Sequence, residues 1–435
     1  MFDSTFHAGT NYESSLLSVG VPDTLTSVEP FARKTLGTFF SEPSTINLRP
    51  KIVLYSHDTF GLGNIRRTLL LAQNLIDQYP EASILIITGS PVIHAFRLPA
   101  GIDYIKLPSL DRVSAEKYEP LSLANCGDEV RHTRRAIVGQ IITGFAPDLL
   151  IVDKRAAGIN GELLEALKVL KKNDHKTKIV LGLRDILDSP ERTSRVLREN
   201  GSFDIIEEFY DEVWIYGSSE IFDTASEYDF PYSVRQKTHY CGYLKRPVAQ
   251  GSVGNGELRV LVTTGGGGDG SRMIETYLES LPLLEAELPI SSTVVFGPQI
   301  EAAKRDGLLA RFGNLPNVKF SDFEADLTQL YSDADVVVSM AGYNTVCELL
   351  SHKKKAVLVP RSEPVREQLI RARLLAKHGL FQAIEPADLT AETMKSKIIA
   401  AVKSTSLTMH LLDLDGLRRI DNRVRELLTE EVCKA

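Results

Sequence analysis

From Lys51 onward, short apolar runs alternate with stretches whose apolar positions recur every three to four residues. "KIVLYS" at 51–56 precedes a helical pattern near 64–79 and then "SILIIT" at 83–88. The series continues with "DLLIVD" (148–153), a helical pattern near 160–172, "KIVLGL" (178–183) and "EVWIYG" (212–217). Near-continuous apolar strands separated by helices predict a parallel sheet covered on both faces. At 242–257 the pattern breaks into "GYLKRPVAQGSVGNGE", whose Gly, Pro and polar residues read as a linker. A second series follows, with strands "LRVLVTT", "STVVFG", "NVKF", "DVVVSM" and "KAVLVP". Helical patterns near 271–286, 300–312, 343–352 and 365–377 lie between and after them. The chain closes on a charged amphipathic stretch, roughly 412–431.

This order predicts an α/β protein of two doubly wound, Rossmann-like domains, 50–242 and 258–411, joined by a linker at 243–257 and followed by a terminal helix within 412–435. Residues 1–49, rich in Ser, Thr and Pro without period, are expected to form a loosely ordered extension. Ligands of such sheets bind beyond the carboxyl ends of the strands, so the cleft between the domains is the expected site.

Composition narrows the function classes. A net charge of -7 over 435 residues argues against a nucleic-acid binder that relies on a general positive field. The four cysteines, Cys126, Cys241, Cys347 and Cys433, show neither metal-ligand spacing nor a disulfide framework, which suits a reducing cytoplasm. No apolar run approaches the ~18 residues of a spanning helix, and the first fifty residues lack the pattern of a secretory signal. "RHTRRAIVGQIITGF" at 131–145 fits a crossover helix packed on the sheet better than an interfacial helix. Peripheral contact with the inner membrane face stays open.

The sharpest chemical signal is "VTTGGGGDGSRMIETYLE" at 262–279. Gly265, Gly266, Gly267 and Gly268 follow a strand and lead into a helix beginning near Ser271. Glycines admit close backbone approach, and the first helical N–H groups attract anions. The letters also fit G-x-G-x-x-G, but a dinucleotide site needs an acidic residue about 20 positions on. The next strand ends "VVFGPQ", without one. The loop "SHDTFGLGNIRR" at 56–67 has Gly61 and Gly63, but Arg66 stands at the third glycine position. NAD is disfavoured at both loops, and no G-x-x-x-x-G-K-[ST] occurs.

A second signal is "DVVVSMAGYNTVCELL" at 335–350, where a helix is expected to begin near Asn344, capped by Asn344 or Thr345. Glu348, one turn in, could accept both hydroxyls of a ribose or merely complement the helix dipole. Third comes "VLVPRSEPVREQLIRARLL", with Glu367 and Gln368 near a helix start. Three such loops on one domain point to a nucleotide diphosphate. "DAD" at 333–335 and "DLD" at 413–415 read as surface or capping carboxylates, so no metal site is expected.

On Gly265–Ser271, "SMAGYNTVCE" (339–348) and "VPRSEPVREQLIRA" (359–372), the C-terminal half resembles the nucleotide-sugar-binding domain of glycosyltransferase family 28. "YSHDTFGLGN-RR", "PDLLIVDK", "LRDILD" and "YDEVWIYG" extend the likeness over 51–431 to bacterial predicted glycosyltransferases of unassigned substrate. The resemblance implies the GT-B fold and transfer of a sugar, with inversion and without metal, from a nucleotide-diphosphate donor, UDP-linked in the first instance. The donor is then a substrate, and no cofactor is implied. Glu348 would hold the donor ribose, Gln368 and Glu367 the sugar hydroxyls, and Gly342, Asn344 and Thr345 the diphosphate. Backbone near Phe323 and Glu324 would meet the base, and the last helix would cross back onto the N-terminal domain.

Proton removal from the acceptor should fall to the N-terminal domain, with His57 and Asp58 as candidate bases. Gly61, Gly63, Asn64, Arg184 and Asp185 would form the acceptor side. Asp153, Lys154, Arg155 and Asp188 would either bind acceptor or bridge loops. Relatives commonly carry a histidine at the position of Asn64, and asparagine cannot take a proton. The alternatives are therefore a nucleotide-sugar hydrolase or non-hydrolysing epimerase on the same fold, or a non-catalytic nucleotide-sugar-binding protein. The acceptor is left open between lipid-linked, soluble and proteinaceous molecules.

Overall fold

The computed structural model describes residues 49–57, 63–113, 117–172, 176–252, 256–266, 268–324, 326–404 and 412–429. Of the residues named above, Asp58, Gly61, Gly267 and Cys433 lie outside that set, as does nearly all of the 1–49 extension.

The first sheet is built from β1 (Lys51–Ser56), β2 (Ser83–Thr88) and β3 (Ile102–Lys106), then β6 (Leu149–Asp153), β7 (Lys178–Arg184), β8 (Glu212–Tyr216) and β9 (Thr238–Tyr240). Between them β4 (Leu110–Arg112) and β5 (Tyr118–Pro120) form a small antiparallel hairpin. Strand order is β3-β2-β1-β6-β7-β8-β9, every pairing is parallel, and the winding reverses between β1 and β6. The second sheet comprises β10 (Leu258–Thr263), β11 (Ile290–Val295), β12 (Val318–Ser321), β13 (Val336–Ser339), β14 (Lys355–Leu358) and β15 (Gln382–Ala383). Its order is β12-β11-β10-β13-β14-β15, with the reversal between β10 and β13. β6, β8 and β13 are buried along their whole length, as the continuous apolar runs require.

Helices match their periodic patterns closely: Gly63–Gln78, Ser271–Glu285, Ala302–Phe312, Tyr343–Ser351 and Glu367–Lys377. The stretch at 131–145 lies within helix Gly127–Phe145. That helix packs Val138 and Ile142 into the core beside Val53 and Val152, and buried Arg134 pairs with Glu162 at 2.6 Å. Its apolar face is thus occupied by the sheet. Among the described residues, no helix is long and apolar enough to cross a membrane. Residues 242–252 carry the chain between the sheets, fully burying Tyr243 and Leu244. The last described helix, Gly416–Thr429, packs on the N-terminal domain, where Asn74 donates to Asp421 (2.6 Å) and Arg423 pairs with Glu212.

A buried bolt joins the two sheets. Asp185, just past β7, receives both arms of Arg371 from helix Glu367–Lys377, at 2.7 and 2.8 Å. Arg371 also donates to the Ala341 carbonyl at 2.9 Å. Nearby, Asp188 accepts the Arg366 N–H at 2.8 Å, and Tyr343 is held between Arg67 and Arg371, each 5.9 Å from its ring centre. The two carboxyl-end crevices therefore face each other across a fixed interface.

Candidate functional site

In the second sheet, register Thr263↔Ser339 sets the loops after β10 and β13 side by side at the switch point. Gly265 adopts φ +68, open to glycine at no steric cost. Any side chain at Gly270 would lie 2.0 Å from Thr264 Cγ2, so the loop can turn tightly into helix Ser271–Glu285. Across from it, helix Tyr343–Ser351 begins after an extended Gly342, and no side chain caps it.

The cap expected from Asn344 or Thr345 is therefore not made. The helix starts one residue earlier than the spacing suggested, which turns Asn344 outward to the other domain. There its Nδ2 donates to the Gly63 carbonyl (2.8 Å), while its Oδ1 accepts from Arg246 (2.8 Å). Without a capping side chain, the opening N–H groups of this helix remain available to an anion.

A cavity of about 440 Å³ spans the crevice. Its C-terminal-domain wall includes Gly265, Gly266, Phe323, Glu324, Gly342, Asn344, Thr345, Glu348, Glu367 and Gln368. The facing wall supplies Gly63, Arg66, Arg67 and Arg184. Gly268 and Ser271 lie outside this lining, further along the loop and at the helix start. Phe323 is half exposed, while Glu348, Glu367 and Gln368 are buried.

Charge in the cavity is mostly cross-linked. Arg66 reaches across the cleft to Glu348 at 2.6 Å. Arg361 bridges Asp269 of the glycine loop (2.8 Å) and Glu367 (3.0 Å). Arg184 differs. Among the described residues its guanidinium makes no hydrogen bond or ion pair, and its Nε is buried. Burial pulls its pKa down, against the attraction of Glu367.

The crevice of the first sheet is filled instead. His57 Nδ1 lies 2.8 Å from Asp153 Oδ2, and Arg67 holds Asp153 Oδ1 at 2.5 Å. Arg67 also donates to Asn64 Oδ1 (3.1 Å), which orients the Asn64 amide N–H toward His57 Nε2 at 3.1 Å. His57 is thus a neutral imidazole protonated on Nδ1. Burial lowers its pKa to about 4 despite Asp153. Burial would raise Asp153, but Arg67 and His57 outweigh it and hold the carboxyl well below its usual range. His57, Asn64 and Asp185 line neither this cavity nor the second one described below. Among the described residues, no cluster of three His, Cys, Asp or Glu side chains could hold a metal.

Sequence reasoning passed over Arg66, Arg67, Arg361 and Arg371. A signal existed for two of them. Arg67 falls on the buried face with Thr68, Leu71 and Leu75, and Arg371 with Gln368, Ala372 and Leu375, each at helical spacing. An arginine on a buried helix face implies a buried partner.

Residues 260–409 match the glycosyltransferase family 28 C-terminal domain. Over that span the C-terminal domain is family 28-like. A Haemophilus influenzae UDP-N-acetylglucosamine--N-acetylmuramyl-(pentapeptide) pyrophosphoryl-undecaprenol N-acetylglucosamine transferase is 31% identical over 156 residues, 36% of this chain and 42% of the relative. The chain thus spans less than half the length of the curated relatives it matches. Among solved structures, Acinetobacter baumannii MurG aligns with a TM-score of 0.51 at 14% identity, covering 89% of this chain and 100% of that one. A Listeria monocytogenes structure assigned as a UDP-N-acetylglucosamine 2-epimerase aligns at 0.57 with 10% identity, covering 88% and 97%. These structural likenesses establish the GT-B fold over nearly the whole chain.

Proposed function

We propose that this protein is an inverting, metal-independent glycosyltransferase that takes a sugar from a UDP-linked donor. The observation that carries the reading is the cavity at the second switch point. It combines a glycine loop, an uncapped helix start and two buried carboxylates within a domain that matches family 28.

In this reading the diphosphate meets the N–H groups of Gly265–Gly266 and of the 342–345 turn, with the Thr345 hydroxyl beside them. Glu348 takes the ribose hydroxyls, Glu367 and Gln368 take the sugar, and Phe323 flanks the base. Arg184 supplies cationic charge from the facing wall as the leaving group develops its own. The acceptor oxygen bonds to the anomeric carbon while the bond to the diphosphate breaks, its electron pair leaving with UDP. The hydroxyl proton passes to His57 or Asp58 on the N-terminal-domain side. For His57 to act, the acceptor hydroxyl must replace the Asn64 amide on Nε2, and Asp153 then stabilises the imidazolium. The relatives' names include a lipid-linked acceptor, and a lipid-linked acceptor reached at the membrane surface is one form of this proposal.

The same fold serves an epimerase, but the sequence match is to transferases. Thermal shift with UDP, GDP and dTDP tests donor recognition. At a hundredfold excess over Kd a ligand stabilises its site by about 2.7 kcal/mol, so UDP should raise the midpoint clearly. Indifference to all three nucleotides overturns the proposal. Interconversion of a UDP-sugar without any acceptor would favour the epimerase instead.

A further inference from the structure

A second cavity, of about 460 Å³, lies beyond the carboxyl ends of β6 and β7. Leu164, Leu187, Leu197 and Val365 give it an apolar wall. Its charged lining is one-sided, with Arg112, Lys154, Arg155 and Arg192 against a single described carboxylate, Asp188. That carboxylate is already engaged, by Arg192 at 3.0 Å and by the Arg366 N–H at 2.8 Å. Arg155 is fixed in place by Tyr118, with its Nη2 2.8 Å from the phenol oxygen and its guanidinium over the ring.

Lys154 is the informative residue. It holds φ +64, a left-handed conformation that a side chain other than glycine seldom adopts. Its N–H donates to the Gly182 carbonyl at 2.8 Å, so the backbone is pinned in that turn. Yet its ammonium makes no hydrogen bond or ion pair among the described residues, and its neighbours are like-charged. Burial, with Arg184, Arg155 and Arg112, pushes its pKa well down against the attraction of Glu367. A fold that strains its backbone to gather a lysine among arginines at the rim of an apolar cavity is complementary to an anion with an apolar body.

We propose that this cavity binds a compact organic acid, its carboxylate or phosphate on Lys154 and the neighbouring arginines and its apolar body against Leu164, Leu187 and Leu197. The volume suits a ligand of drug-like size. The cavity also abuts the donor site. Register Asp153↔Gly182 places Lys154 beside β7, and β7 ends at Arg184, which lines the donor cavity. Val365 lines the second cavity, while Glu367, two residues on, lines the first. Resting on the transferase reading, the acid is the acceptor, presented through this pocket to the sugar end of the donor.

Titration of the full chain with 2-naphthoate, 2-naphthyl phosphate and neutral 2-naphthol tests the site, with a parallel UDP titration. At least one acid should bind tenfold or more tightly than the naphthol, and the two acids separate a carboxylate ligand from a phosphate one. Lys154→Gln should lower acid affinity about tenfold while Lys154→Arg retains most of it, and Leu197→Trp should block the probe by filling the apolar end. Equal binding of acid and naphthol, or indifference to both Lys154→Gln and Leu197→Trp, overturns the proposal. Acid binding without UDP binding would sink the transferase reading and leave the pocket. UDP binding without acid binding would do the reverse.

Discussion

The two halves of this molecule solve one architectural problem in opposite ways. Each is a doubly wound parallel sheet with a crevice where the winding reverses, and in each the sequence after the first strand is rich in glycine. In the N-terminal half the crevice is filled from within, because His57, Asp153, Arg67 and Asn64 close on one another through ion-pair and hydrogen-bond contacts. In the C-terminal half no side chain caps the helix after β13, and Gly265 holds the loop after β10 open by its positive φ. One crevice is closed by its own side chains unless an acceptor hydroxyl displaces the Asn64 amide from His57, and the other leaves the opening N–H groups of a helix without a capping side chain. Shared topology therefore does not assign shared function, because the side chains at the strand tips decide which crevice is a site.

The contrast depends on the two crevices facing each other, and the Asp185–Arg371 pair holds them so. Both side chains are almost fully buried. Removing one member leaves an uncompensated charge in the interface, at about 3–5 kcal/mol. Asp185→Ala should lower stability by that amount in urea titration and weaken UDP through loss of the facing wall. A loss below about 1 kcal/mol would show that the interface does not rest on this pair.

Within the filled crevice, Asp153→Asn should act on stability. Arg67 is 1% exposed and would lose its anionic partner, which costs about 3 kcal/mol. UDP affinity should stay within about twofold, since loss of a structural charge across the cleft removes no ligand contact. A large fall in UDP affinity with little change in stability would reverse the roles assigned to the two crevices.

Thr345→Val is the mirror experiment in the open crevice. It keeps the side-chain shape and removes the hydroxyl beside the uncapped helix start, where the cavity wall runs. UDP should bind about tenfold more weakly, near the ~1.5 kcal/mol at the lower end for one hydrogen bond to a charged group, with stability nearly unchanged. Equal UDP affinity in the variant would remove Thr345 from the donor site.

Much of this arrangement was legible in the sequence, for a physical reason. Parallel sheets buried on both faces force continuous apolar runs such as "DLLIVD" and "DVVVSM", so the central strands, their order and the fold class could be read directly, whereas β3, β4 and β5 were not. The glycine loop was legible because φ +68 at Gly265 and the tight approach at Gly270 leave little choice of residue. Harder to see were the arginines, because an arginine in "IRRT" or "LIRARLL" looks like a solvated helix face until its partner, 86 or 186 residues away, is brought to it. The short edge strands β9 and β15, three and two residues long, carry too few positions to show a period. Nor does spacing show that Asn64 turns inward to His57, since that orientation is imposed by Arg67 through the Asn64 carbonyl.

The smallest effect expected is also the most direct probe of the filled crevice. His57 is held near a pKa of about 4, chiefly by burial, against about 6.5 in an unfolded chain. Because the folded value is the lower one, the unfolded chain takes up the proton first. Stability from this group is complete above pH 6.5, declines as pH falls toward 4, and is level below that. Between pH 7.5 and 5.5 the loss should be about 1 kcal/mol. His57→Gln can keep a donor toward Asp153 and an acceptor toward the Asn64 amide, but it does not titrate. Urea titrations of wild type and variant at the two pH values should therefore differ in slope by that amount. Identical slopes would mean that His57 meets solvent or substrate freely, and the N-terminal crevice would then have to be counted as an open site like its counterpart.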